Sequence, residues 1–223
     1  MMIIILSFDP MNASSSSSRS TRKEESRDRI LDVASRTVRR AGFDGVGVAD
    51  VMKQAGLTHG GFYAHFASRD DLLCAAALRA GQDSRQLHHS HADRLVAAGV
   101  PPFRALVETY LHESGIDNVD CGCPVAALVA ELPRQSAAVR GEGHGLLLGM
   151  QGLIMDALGE GTSPESAWPI AATLVGALQM ARAIGDRDQA IAILASTKRA
   201  LLSQHAEAAA QPARSTAQAR PAG

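Results

Sequence analysis

Apolar positions recur along this chain at helical spacing, beginning with Ile30, Ala34, Val38 and Ala41 at steps of four, four and three. Val48, Val51, Met52 and Ala55 repeat the pattern over a shorter stretch. Gly56, able to take positive φ, stops that helix. Thr58 then stands as the N-cap of a second short helix carrying His59 to His65. Ser68-Arg69-Asp70-Asp71 has the form of a capping box with acid in the first turn. It opens a further helix, through Leu72, Leu73, Ala76 and Leu78, to about His91.

Beyond it the spacing predicts only helices. Pro101-Pro102 opens one that buries Phe103, Leu106, Val107, Tyr110 and Leu111. A loop from Gly115 to Cys123 leads to a short helix that starts at Pro124 and ends near Pro133. A longer helix spans 136–158, and 161–163 break the chain before a closing pair at 166–184 and 187–205. Pro169 is kept in the first turn of the first of these. The fold class is all-α: a helix-turn-helix head at 21–67 and a helical body at 68–205. Residues 1–20 read as a disordered extension and 206–223 as a disordered tail.

Two short helices joined by a Gly turn are what a major-groove reader needs. The second would enter N-terminus first, placing Thr58, His59, Gly60 and Gly61 nearest the bases, with Phe62 and Phe66 anchoring it from behind. Tyr63, His65 and Arg69 fall where phosphates would lie, and Gly47 and Val48 open the first motif helix at the same surface. Arg22, Lys23, Arg27, Arg29, Arg36, Arg39 and Arg40 decorate the preceding helix, so that its basic end is expected to face phosphates.

The stretch RDRILDVASRTVRRAGFDGVGVADVMKQAGLTHGGFYAHFASRDDLL, Arg27 to Leu73, closely resembles the tetracycline-repressor (TetR) family of transcriptional regulators. The resemblance rests on an order: a helix ending before Gly-Phe, a Val-x-x-Val-x-x-x-Ala-Gly-Leu-Thr turn, then Gly-x-Phe-Tyr-x-His-Phe. It implies a three-helix DNA-binding head and a body that binds a small-molecule effector and pairs into a homodimer on a double-stranded operator. In the resembling family the last two helices of each subunit form the dimer interface; here their apolar faces are Ile170, Leu174, Leu178, Ala181 and Ile191, Leu194, Ala195, Leu201, Leu202. Two positions depart from the family pattern. Gly47 and Gly61 stand where the family has Ser or Thr, which removes a capping hydroxyl and a hydroxyl on the reading helix.

Composition limits the alternatives. The 223 residues carry a net charge of -1, which excludes a generally basic nucleic-acid coat. The positive charge is placed instead: Arg19 to Arg40 holds eight basic residues against Glu24, Glu25, Asp28 and Asp32. The apolar opening, Met1 to Leu6, is too short to span a membrane and runs into Asp9 and Pro10; residues 1–10 read as an extension ahead of a start at Met11. Three cysteines without an export signal suit a reducing cytoplasm. No phosphate loop or nucleophile elbow appears, Glu131 and Glu142 lie too far apart to form a catalytic pair, and no cofactor is implied.

The body offers candidates for an effector site. Gly145, Gly149 and Gly152 share one face of the 136–158 helix, where each costs about 0.8 to 1 kcal/mol relative to Ala. Close helix packing or room for a ligand would offset that. Met150 and Met155 supply adaptable lining, and Tyr110, His112, Cys123, Gln151, Trp168, Gln179 and Met180 are candidate wall groups. Cys121-Gly-Cys123 is a candidate redox or electrophile sensor, since Cys123 stands at a helix start, where the dipole lowers a thiol pKa. Two cysteines are too few for zinc without His112 or Asp120, and no metal is assigned to them. His88 and His91 share a helix face that reads as a solvated helix end. Three functions remain: an effector-released DNA-binding repressor, the same switch driven by cysteine modification, and a helical enzyme or interaction module.

Overall fold

The computed structural model describes residues 13–212, with side chains from residue 21, and every regular element among them is helical. The head comprises α1 (Ala13–Ala41), α2 (Val48–Gln54) and a 3₁₀ turn (His59–Ala64). The body comprises α3 (Arg69–Ala97), α4 (Pro102–Tyr110), α5 (Ser114–Asp117), α6 (Pro124–Leu128), α7 (Ala137–Leu158), α8 (Pro164–Ala183), α9 (Arg187–Gln204) and α10 (Ala206–Ala210).

Local chemistry sets the head's boundaries. Gly42, at φ +74°, receives α1, and its N–H donates to Val38 at 3.0 Å. Gly56, at φ +71°, closes α2: its N–H reaches the carbonyl of Lys53 and that of Leu57 reaches Met52, the paired bonds of a Schellman stop. Ser68 caps α3, its hydroxyl accepting from the Asp71 N–H at 3.1 Å. The Asp71 carboxylate accepts from the Ala67 N–H at 2.9 Å, so the reciprocal box is made one residue further back than its ideal form. Ile30, Ala34, Val38, Phe43, Val51, Met52, Phe62 and Phe66 are buried together with Leu72 and Leu73 of α3.

That core does not stop at the head. Leu128 of α6 and Val139 of α7 are buried in it, and α3, about 43 Å long at 1.5 Å per residue, runs through both parts. The second core gathers Phe103, Leu106, Tyr110, Ile154, Leu174 and Leu194 from α4, α7, α8 and α9.

Several expectations change. α1 begins at Ala13, so the serine run continues the helix; once a helix is nucleated downstream, Ser costs only about half a kcal/mol per residue relative to Ala. Residues 1–10 and the Met11 start lie outside the described residues, as does the tail from 213. α10 lies within the stretch expected to be disordered, and its Ala209 is buried in the body core. α3 runs beyond His91 to Ala97, and Leu78 is exposed on it. α6 stops at Leu128 and a separate 3₁₀ turn, Leu132–Arg134, holds Pro133. α8 starts at Pro164, which leaves Pro169 inside the helix, on its exposed side. Ile170, Leu174, Leu178 and Ala181 are buried within the single chain; Trp168 and Met180 of α8, and Ile184 at its C-cap, are large apolar side chains left exposed.

Candidate nucleic-acid interface and effector cavity

The reading segment is a 3₁₀ turn, not the expected α-helix. Gly60 and Gly61 explain this: two adjacent residues without side chains weaken an α-helix by about 1 kcal/mol each relative to Ala. Thr58 precedes it in extended conformation, its carbonyl accepting from the Gly61 N–H at 3.0 Å, while its hydroxyl makes no cap bond. Thr58, His59 and Gly60 are exposed; Gly61 is half-buried, with Met52 below it. Phe62 and Phe66 stack at 5.7 Å beneath the segment, and Tyr63 stands out from it, 73% exposed. Gly47 caps α2 without a side-chain bond, and Val48 is half-buried against the head core.

The basic residues of α1 divide into two groups. The Arg27 guanidinium lies over the Phe66 ring, 4.9 Å from its centroid. Burial first, then the charges of Lys23 and Arg27, lower the pKa of His65, so both cations sit close to the end of the reading segment. His65 Nδ1 is buried there without a partner. The other end of α1 faces the body, against expectation. Arg39 is buried, donating to the Ala80 carbonyl at 3.2 Å beside Asp83. Arg40 forms a two-point pair with Asp120, one arm at 2.8 Å. Arg36 lies 3.8 Å from Asp32. Cations at a helix C-terminus offset its dipole, and the body supplies the acids that hold them. Arg69 also turns inward, donating to the carbonyls of Val46 at 3.2 Å and Phe43 at 2.6 Å, and so clamps the loop ahead of α2.

In the body, a cavity of about 50 Å³ lies between α3, α4, α6 and α7. Of the wall groups expected from sequence, Tyr110, Cys123 and Met150 line it. His112 is exposed in a separate groove with His91, Arg94 and Lys198. Met155 borders another cleft, beside Pro102 and Gln211. Gln151 donates to the Pro164 carbonyl and Gln179 to that of Ala126, both at 3.0 Å, while Trp168 and Met180 lie at the surface. The cavity's remaining polar walls, Arg85 and His88, were missed. His88 is no solvated helix end: its ring stacks on Tyr110 at 5.4 Å and 14°, and burial lowers its pKa to about 4. Tyr110 is fully buried, and burial, then the neighbouring Cys123, push its pKa well up. Among the described residues neither the Tyr110 hydroxyl, which interacts with Cys123, nor His88 Nδ1 makes a hydrogen bond of ordinary geometry. Cys121 is exposed and Cys123 buried, so the two thiols occupy different surroundings. Among the described residues no cluster of three or more His, Cys, Asp or Glu could hold a metal.

α2, the Schellman stop and the reading segment, with Lys23 and Arg27 beside it, define a helix-turn-helix DNA-binding head. Residues 30–76 match the family described as bacterial regulatory proteins, tetR family. The whole fold is similar to a TetR transcriptional regulator from Chloroflexus aurantiacus J-10-FL, at 20% identity over 82% of this chain and 97% of that one, with TM-score 0.64. It is similar also to a TetR-family regulator from Agrobacterium tumefaciens, at 22% identity over 82% and 98%, TM-score 0.63. A third, from Streptomyces coelicolor, is 19% identical over 91% and 98%, TM-score 0.63. No curated protein matches the chain significantly. The head thus matches the tetR family of bacterial regulatory proteins in sequence, and in the body the likeness is one of fold.

Proposed function

We propose that the protein is a homodimeric repressor that holds a near-palindromic operator and is released when an effector occupies the α3–α4–α6–α7 cavity. The exposed edge from Thr58 to Tyr63 carries this reading, because it is seated on a packed aromatic base with cations at its end. Thr58, His59 and Gly60 meet base edges; Tyr63, with Lys23 and Arg27, meets phosphates. One head alone would bind weakly, and two heads about 34 to 36 Å apart reach successive major grooves. The apolar groups exposed on α8 and at its C-cap (Trp168, Met180 and Ile184) supply the pairing surface.

No helix among the described residues is long and apolar enough to cross a membrane, and a regulator of DNA works in the cytoplasm. The family's members are transcription factors, which argues against an enzyme. The test is an unbiased selection of DNA sequences by the purified protein at fixed salt. An inverted repeat is expected; sequences enriched as single half-sites would remove the dimer, and no enrichment would remove the operator. His59→Ala should relax preference at one position, and Tyr63→Ala should weaken binding to all sequences alike.

A further inference from the structure

The cavity holds an unusual set of unsatisfied groups. Tyr110 is fully buried with the Cys123 thiol beside it, and among the described residues neither its hydroxyl nor His88 Nδ1 in the same cavity makes a hydrogen bond of ordinary geometry. Native folds rarely leave two such atoms together unless something else satisfies them. Beside Tyr110 lies the Cys123 thiol, 6% exposed, facing the same space. The Arg182 guanidinium interacts with both Tyr110 and Cys123. At about 50 Å³ the cavity is far below the size of a site for a drug-like ligand and suits a molecule of a few heavy atoms. The exposed Arg85 side chain lies over Gly149 at its wall, where a Cβ would sit 3.3 Å from Nη2.

A nucleophile and an uncommitted hydrogen-bond donor at one small cavity are what a conjugated carbonyl compound requires. We infer that the effector is a small α,β-unsaturated aldehyde or ketone that adds covalently to Cys123, with the Tyr110 hydroxyl donating to its carbonyl oxygen. This rests on the repressor reading and names the chemistry of its effector. The Cys123 sulfur bonds to the β-carbon, and the carbon–carbon π pair moves toward the carbonyl to give an enolate held by Tyr110. The thiol proton ends on the α-carbon, with His88 Nδ1 available to carry it. No oxidant, reductant or leaving group is needed. Cys74 competes poorly, because burial first and then Glu142, Asp70 and Asp71 push its thiol pKa up. The adduct outgrows the cavity and displaces α6, which carries Leu128 in the head core.

The test uses the full chain, acrolein as the probe and iodoacetamide as the control. Acrolein is expected to add one mass equivalent, mapped to Cys123, in wild type and in Cys121→Ser but not in Cys123→Ser. Tyr110→Phe should slow acrolein labelling of Cys123 by roughly tenfold or more, and iodoacetamide labelling far less, since that displacement forms no enolate. Equal slowing with both reagents would reduce Tyr110 to packing and overturn its role. First labelling at Cys121 or Cys74 would overturn the site. Acrolein should also release wild-type protein from its selected DNA and leave Cys123→Ser bound. Operator binding with no adduct at Cys123 would sink the covalent effector alone. An adduct at Cys123 in a protein that selects no DNA would sink the repressor reading alone.

Discussion

His88 places a titratable ring, half-buried, against the aromatic face of Tyr110. Its pKa falls from 6.5 to about 4 through burial, with His91 and His89 adding repulsion. Because the folded value is depressed, the unfolded chain takes up the proton first as pH falls. Stability is complete above about pH 6.5 and is lost progressively toward pH 4. From pH 7.5 to pH 5 the loss from this ring should be about 2 kcal/mol. His88→Phe keeps a ring over Tyr110 and removes the titration. Urea unfolding of both proteins at the two pH values, at one protein concentration, checks this: equal losses would show that His88 is not the titrating group. Gly47 is a second single-residue case. A Cβ there would stand 3.2 Å from Asp50 Oδ2, the mobile end of a side chain, so Gly47→Ser is tolerated. It should stabilise α2 by a few tenths of a kcal/mol, read as a small rise in unfolding midpoint.

Elements defined by local chemistry were legible in the sequence, and those defined by distant partners were not. The apolar stripe of α1, the Gly56 stop and the Ser68 cap each lie within a few residues of their own signal. Arg39 and Arg40 looked like phosphate ligands because their acids, Asp83 and Asp120, stand 44 and 80 residues away. Arg85 and His88 sit in a polar stretch of α3, where nothing local says that one face turns inward. In the body cavity, Tyr110, Cys123 and Met150 were legible as aromatic, thiol and flexible lining, whereas their convergence depends on how α3 crosses α4 and α7. The glycine pair in the reading segment was visible, but its consequence, a 3₁₀ turn, was not. A Cβ at Gly60 meets open space, and one at Gly61 meets Met52 and Thr58 at an ordinary 3.7 Å. Gly60→Ala with Gly61→Ala should therefore favour a full α-helix, by about 1 kcal/mol per site. Slower amide exchange from Phe62 to His65 would report it. Unchanged exchange would mean that packing on Phe66 and Met52, not the glycines, sets the 3₁₀ form.

Across the whole molecule, head and body share a core, so a change at the cavity has a physical path to the reading segment. The segment from Asp120 to Glu131 carries it. Cys123 opens onto the cavity, Asp120 holds Arg40 at the end of α1, and Leu128 is buried in the head core. Glu131 completes the link, its carboxylate accepting from the Phe43 N–H at 2.8 Å, against a Gly42 whose Cβ would clash with it at 2.2 Å. Any side chain at 42 would also be strained at φ +74°. Coupling between two such sites is typically about 1 to 3 kcal/mol, which corresponds to 5- to 150-fold in operator affinity. Asp120→Ala with Glu131→Ala removes both polar links and leaves the cavity lining and the reading edge untouched. The variant should still select the wild-type DNA sequence, since Thr58 to Tyr63 rest on Phe62 and Phe66. Its affinity should respond to acrolein several-fold less than wild type, and its Phe43 amide should exchange faster. Full release of the double variant, with the Phe43 amide exposed, would place the coupling in the apolar contact of Leu128 alone.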